Sequence, residues 1–434
     1  MRAPLGLRGA ILSALGGAGE ASKLGMPPLS SGPPAPERST LLVGVNYITP
    51  MAVYTRATTA SYVGSDGLIK TAAINAPRFE YDANGNYLGL LLEASRTNIC
   101  LQSQTLDNAS WTVANITVTA DTQTAPDGTL TAEKLAATTT AAATFSQAGC
   151  IATGTKMIYS IFVHTTSSLA TSSYLLRNVT TATSFTTGTF THATGAVSGA
   201  GWVSQACGNG WYRLSFLQTT GITVSDSLTV FAGFTGNAQT AGDYIYAWGA
   251  QLEKTNNTTG VSSYIATTSA SVTRAADSCK VSDARQLRPN LQAASFYLAG
   301  DFGNSNSADN PSGRYFIYFS NSANTERLTV SNVSGLIGGT CLAGSVTQAS
   351  IAVGATIPAN TPFTAAFAAA QDNFCVAKSG NLTGVDTSGS MPATYDYLNI
   401  GGFNGVVANL DGHIKDLRYY RHRLSDATLM ALTS

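Results

Sequence analysis

Between residues 106 and 270 only twelve of 165 side chains are charged, five basic and seven acidic. The rest is short runs of Thr, Val, Tyr, Phe and Ile broken by Gly, Ser and Asn. That pattern constrains the fold more than any motif does. β-Branched and aromatic residues fit a pleated, half-buried surface, and the frequent turn residues stop each run before a helix could propagate. The chain is therefore expected to be all-β: two β-sandwich, or jelly-roll, domains in tandem behind an extended N-terminal arm.

The whole chain extends this picture. Its 434 residues hold 24 basic and 24 acidic side chains, a net charge of zero, with 56 Thr, 43 Ser and 42 Gly. Such neutrality gives no electrostatic footprint for nucleic acid or an anionic membrane. No run approaches eighteen apolar residues, so membrane insertion is not expected. An apolar fraction of 44% with 38 aromatics speaks against general disorder. The six cysteines are widely spaced with no CxxC, which points to buried free thiols rather than a zinc site.

Composition divides the chain. Residues 1–40, rich in Gly, Ala and Pro, read as an extended arm with no core of its own, ordered only against a partner. Their first residues faintly resemble a signal peptide, but Arg8 interrupts the apolar stretch and no clean cleavage site follows. Residues 41–105 form a connector unit, where Asp82-Ala83-Asn84-Gly85-Asn86 marks a tight turn between Phe79-Glu80-Tyr81 and an apolar run from Tyr87. Residues 106–270 are the first sandwich, with strands expected at 159–164, 174–177, 212–218, 228–234 and 244–250. Residues 271–290 carry six charges in twenty positions and read as a linker. Residues 291–434 are the second sandwich, with strands expected at 296–298, 314–320, 327–330, 363–368, 373–377, 397–400 and 413–420. The chain closes on a short helix capped by Ser425, with Asp426 in its first turn and Leu424 and Leu429 as a hydrophobic staple.

Three stretches carry a family resemblance. The first is Thr55-Arg56-Ala57-Thr58, then Ala76-Pro77-Arg78-Phe79-Glu80-Tyr81-Asp82 and Gly89-Leu90-Leu91-Leu92-Glu93-Ala94-Ser95-Arg96-Thr97-Asn98. It resembles a segment of tailed-bacteriophage head-spike, head-fibre and tail-fibre-like structural proteins. The second runs from Asn108-Ala109-Ser110-Trp111 through Ala125-Pro126-Asp127-Gly128-Thr129, Gly210-Trp211-Tyr212-Arg213 and Trp248-Gly249-Ala250-Gln251-Leu252-Glu253 to Val272-Thr273-Arg274-Ala275-Ala276-Asp277. It is similar to the jelly roll that follows in those proteins, which is related to carbohydrate-binding modules. The third, Asp411-Gly412-His413-Ile414-Lys415 with Tyr419-Tyr420 and Arg423-Leu424-Ser425-Asp426-Ala427, looks like the end of a laminin-G or concanavalin-A-like lectin domain. The resemblance, which covers residues 52–434, implies a component on the outside of a tailed phage, often associated with host-surface polysaccharide. The arm and connector, residues 1–105, are expected to dock it on other virion proteins. Spikes and fibres are usually symmetric, so a homotrimer or another closed oligomer is expected.

Few residues suggest chemistry. The four histidines form no HxH or HExxH. The nearest acid pairs, Asp411 with Asp416 and Glu80 with Asp82, read as turns rather than the two carboxylates of a glycosidase, so no enzyme is expected. Sugar binding needs only a ring to stack on a pyranose and neutral groups to fix hydroxyls. Trp202, after Gly199-Ala200-Gly201, and Tyr315, Tyr318, Tyr395 and Tyr397 are the candidates. Trp111 and Tyr246 are weighed beside them, and Trp211 and Trp248 are expected as core rings. No cofactor is expected beyond possible Ca2+, for which the oxygen-rich loop with Asp301, Asn304, Asn306 and Asp309 is the candidate.

Overall fold

The computed structural model describes residues 39–255, 260–303, 314–333, 335–354, 356–403 and 409–434. The expected arm lies outside them, apart from Ser39 and Thr40, which open a strand. The regular secondary structure of the described residues is nearly all strand, arranged as two sandwiches of antiparallel sheets.

In the first sandwich an eight-stranded sheet orders Ile116–Thr124, Leu130–Ala137, Tyr244–Lys254, Met157–His164, Trp211–Gln218 and Trp202–Ala206, with Arg96–Asn98 and Val272–Arg274 added beside Tyr244–Lys254. It faces a seven-stranded sheet built around Thr171–Asn178, Ser227–Ala238 and Ala142–Ile151. Leu176, Val230, Phe234, Ile161 and Leu214 meet between them. Five strands expected here are present, each extended by one to five residues. The alternation that marked them continues past the aromatic stretches that made them visible.

The second sandwich differs from its expected extent. Its nine-stranded sheet includes Ser39–Gly44 and Tyr87–Leu92, both paired with Gly412–Tyr420 near the end of the chain. Its seven-stranded sheet includes Val53–Thr55 paired with Ser278–Val281, which in turn pairs with Tyr397–Ile400. The segment read as a connector therefore supplies strands to the second sandwich, and the segment read as a linker supplies a strand to each. Burial accounts for this. Leu42, Val43, Leu90 and Leu92, like Cys279 and Val281, are fully or almost fully buried in the second core beside Phe296, Phe319 and Leu417. The turn at 82–86 forms as its sequence demands: Asp82 Oδ1 accepts from the Asn84 and Asn86 amides, and Gly85 takes a positive φ. The terminal helix Asp426–Thr433 is capped by the Ser425 hydroxyl, which accepts from Thr428 N, and it buries Leu424 and Leu429 against the nine-stranded sheet. All six cysteines are unpaired and five are buried.

The chain passes between the sandwiches at residues 93–95 and again at 275–277, and the two crossings run side by side. Asp277 N donates to Glu93 O at 2.9 Å, and the Asp277 carboxylate accepts from Glu93 N at 2.8 Å. Three buried arginines close around them. Arg78 pairs with Glu93 at 2.6 Å and with Asp277, Arg56 pairs with Asp277 at 3.2 Å, and Arg274 lies 3.6 Å from Glu93. Tyr54 donates its hydroxyl to the same Asp277. These charges are almost wholly out of water, with Arg78 at 0% and Arg56 at 1% exposure. Burial opposes ionisation of Glu93, but Arg274 and Arg78 outweigh it, aided by bonds from Ser263, and hold its carboxyl well below the usual range.

Removing one member of such a cluster strands its partner as an uncompensated buried charge, at a cost of about 3–5 kcal/mol. Arg78→Met is expected to lower unfolding stability by that amount in urea titration, far more than Arg285→Met, which removes a surface pair.

Candidate functional site

The seven-stranded sheet of the second sandwich turns one face to the core and the other outward. Register decides which side chains share the outward face. Ile317, Phe319, Leu328, Val330, Leu398, Ile400, Cys279 and Val281 point into the core. Their neighbours point out, and Lys280, Asn399, Tyr318 and Thr329 line up across four adjacent strands. Tyr397, Ser320 and Arg327 make the next row. A register shift between Tyr315 and Ile317 brings Tyr315 to the same side as Tyr318.

The rings assemble into a cluster. Tyr315 meets Tyr318 edge-on at 4.9 Å, and Phe403 lies 4.5 Å from Tyr318 and 6.4 Å from Tyr315. Tyr318 donates to Asn324 Oδ1, and Arg327 donates to the same oxygen at 3.3 Å while its guanidinium sits 5.9 Å from the Tyr318 ring. Burial pushes the Tyr315 and Tyr318 phenols up, and the Arg327 charge pulls against it in both. On the other flank Lys280 Nζ lies 4.3 Å over the Tyr397 ring. Between the flanks Asn399 is 2% exposed, and its side-chain NH2 has no hydrogen-bond partner. It borders a narrow crevice lined also by Asp277, Ser278, Cys279, Ile400, Gly401 and Gly402, too tight to hold a sugar ring. An unsatisfied buried amide is costly. In register it lies between Lys280 and the buried Tyr318, with Arg327 two strands away, so a ligand reaches it only if the side chains over it shift.

The sequence candidates fall in several places. Tyr315 and Tyr318 are brought together, but only Tyr315 and Phe403 remain half-exposed; Tyr318 is buried beneath them and serves as their support. Tyr397 lies on the same side but is buried, with Lys280 over its ring. Tyr395, although two residues away, points to the core side: it is 3% exposed and stacks on Phe319 at 4.1 Å, so it offers no face to a ligand. Trp202 is likewise a core ring rather than a loop contact. It is 7% exposed, stacks on Phe216 at 5.1 Å and donates its indole N–H to Thr186 O. The preceding glycines form the turn, and the strand starting at Trp202 carries its ring inward. Trp111, Trp211 and Trp248 are buried too. Tyr246 is half-exposed beside Tyr244 on the first sandwich, with Lys134 over the Tyr244 ring.

The proposed metal loop is only partly visible. Asn304, Asn306 and Asp309 lie outside the described residues. Asp301 is engaged elsewhere, accepting from His413 Nδ1 at 2.9 Å, while His413 Nε2 lies 2.8 Å from Glu80. Among the described residues no three His, Cys, Asp or Glu side chains are placed to hold a metal ion. Lys280, Asn324, Arg327, Asn399 and Phe403 were not singled out in the sequence. Each polar one sits at an alternate position of a strand or at its turn, where it reads as ordinary solvent-facing residue.

No protein-family model matches the chain, and no curated protein matches its sequence. Similar solved structures include the carbohydrate-binding module of a Ruminococcus gnavus sialidase bound to α2,3-sialyllactose. That likeness has 18% identity and TM-score 0.30, over 35% of this chain and 86% of that one. Domain 4 of a Geobacillus stearothermophilus arabinanase, in complex with arabinotriose, has 12% identity and TM-score 0.28, over 40% and 82%. A pentraxin from Limulus polyphemus has 12% identity and TM-score 0.26, over 34% and 73%. At such values no residue of those proteins can be carried over to this chain.

His413 yields a pH prediction. Burial alone would lower its pKa, but Asp301 and Glu80 outweigh burial and push it up to about 10. A folded pKa above the unfolded value of about 6.5 means stability that is complete below that value and is lost as pH rises through the folded one. Thermal unfolding of the native protein is expected to fall between pH 7 and 10.5 more steeply than that of His413→Gln; parallel curves would refute the bridge.

Proposed function

We propose that this chain is a bacteriophage virion structural protein, an external decoration, spike or fibre. It displays two β-sandwiches and contacts host-surface glycan through the outward face around Tyr315, Phe403 and Asn399. The observation that carries the glycan reading is the pair of half-exposed rings, Tyr315 and Phe403, packed over the buried Tyr318, with the unpartnered Asn399 amide on the adjacent strand. Rings supply the apolar stacking surface of a sugar site and the amide supplies its hydroxyl contact. The same face holds no carboxylate pair for acid–base work among its described residues, which favours binding over hydrolysis.

The virion assignment draws on the resemblance of residues 55–98 to phage structural proteins. Arg56, Arg78, Glu93 and Arg96 of that stretch are all committed to buried or nearly buried ion pairs. A protein exposed on a particle gains from a rigid junction between its lobes, because a fixed geometry avoids the ordering cost of binding. Docking on other virion proteins through residues 1–105, with a closed homo-oligomer, belongs to the same proposal. A dedicated glycan-binding receptor of the tail is one alternative, distinguished by where the chain sits on the particle; a polysaccharide depolymerase is the other, distinguished by release of reducing ends from host capsule.

Tyr315→Ala and Asn399→Ala are each expected to weaken binding on a glycan array at least tenfold while leaving the melting temperature within a few degrees. Purified virions should contain the chain on their outer surface, detected by antibody labelling. Virions that lack it, or a native protein that binds no glycan, would overturn the corresponding half of the proposal.

A further inference from the structure

We infer that the ligand of this face is an acidic saccharide whose carboxylates are held by Lys280 and Arg327. The inference rests on the glycan reading above and adds the charge class of the sugar. The outward positions of the four strands Ser278–Val281, Tyr397–Ile400, Arg314–Ser320 and Arg327–Val333 carry two cations and no carboxylate among the described residues. In a chain of zero net charge that local imbalance is a feature of the face, not of the protein.

Neither cation has a carboxylate partner among the described residues. Lys280 is placed over the Tyr397 ring, and Arg327 donates to Tyr318 Oη and Asn324 Oδ1. The acids nearest in sequence are occupied. Glu326 accepts from the Gly344 and Ala393 amides, both at 2.8 Å. Asp396 accepts from the amide and hydroxyl of Ser322. Asp277, three residues before Lys280, is enclosed in the ionic junction. Rings and the Asn324 oxygen fix the position of the two positive groups without neutralising either. The Asn399 NH2 on the same face also lacks an acceptor, although it is buried. Donors of fixed position and unspent charge suit a carboxylate, because charge-assisted bonds are roughly twice as strong as neutral ones.

Spacing favours an oligosaccharide over a single acidic ring. The strands bearing Lys280 and Arg327 are separated by two others, about 14 Å at three strand spacings. A chain of sugars lying across the strands meets both cations and rests on Tyr315 and Phe403 between or beside them; one ring meets one cation.

The test is calorimetric titration of the full-length protein with trigalacturonate, a hyaluronan hexasaccharide and 3′-sialyllactose. Each is compared with its neutral counterpart, the carboxyl-reduced oligomer or lactose, at 50 and 300 mM NaCl. At least one acidic sugar is expected to bind tenfold or more tightly than its neutral form and to weaken in the higher salt. Lys280→Gln and Arg327→Gln should each reduce that preference at least threefold. Lys280 is half-exposed, so its variant tests the idea even if Arg327→Gln impairs folding. Equal binding of acidic and neutral forms would overturn the acidic assignment and leave the glycan reading standing. Acid preference that survives both substitutions would overturn the roles of these two residues. Binding of none of the six sugars would overturn both readings.

Discussion

The architecture depends on the buried ion cluster where the chain crosses between its sandwiches. Two irregular segments, 93–95 and 275–277, lie side by side there with no full strand ladder to satisfy their backbone. Buried backbone groups must find partners, and the arginines provide them. Arg274 donates to the crossing carbonyls of Ala94 and Ala275, and Arg56 donates to the carbonyls of Thr58, Ala73 and Ala76 in the chain beside them. Glu93 and Asp277 answer the positive charge and accept neighbouring amides. The desolvation of these groups is expensive, and apolar replacements often stabilise a protein as well. Apolar side chains in place of Arg56 and Arg274 would leave these carbonyls without those donors.

A second ionic group extends the same junction. Asp411 accepts from Ala94 N at 2.6 Å and pairs with Arg314 at 2.8 Å, while Asn409 donates to the carbonyls of Glu93 and Asp277. The first residue of the strand that carries Tyr315 and Tyr318 is thus tied to the crossing. On the neighbouring strand, Asp277 enters the junction and Lys280 faces outward three residues later. Two of the four strands of the outward face, those carrying Tyr315 and Lys280, thus have one end held by the ionic junction.

Much of the β-structure was legible in the sequence. Strands such as Arg314–Ser320 and Tyr397–Ile400 carry aromatic and branched residues at alternate positions, and they fall where expected. Others gave little signal. Ala142–Ile151 buries Ala143 and Phe145 but consists largely of Ala, Ser, Thr and Gly, and Leu130–Ala137 is similarly weak. Small residues pair as well as large ones once both neighbours are present, but they make no hydrophobic alternation to detect. The role of residues 271–290 was hidden for the opposite reason. Charge there reads as solvent exposure, whereas Arg274 and Asp277 are buried among charges distant in sequence.

By itself the sequence determined the all-β class, the tight turn at 82–86 and the capped terminal helix, because each follows from local propensity, periodicity or capping. It also singled out Tyr315 and Tyr318, rings on one strand. Only the tertiary structure decided that segments before residue 100 complete a sandwich made mainly of residues beyond 290. It alone decided that Trp202 and Tyr395 are core while Asn399 and Lys280 share an outward face. Those outcomes depend on register and on pairing between residues hundreds of positions apart, and a shift of one residue in register exchanges the two faces of a strand.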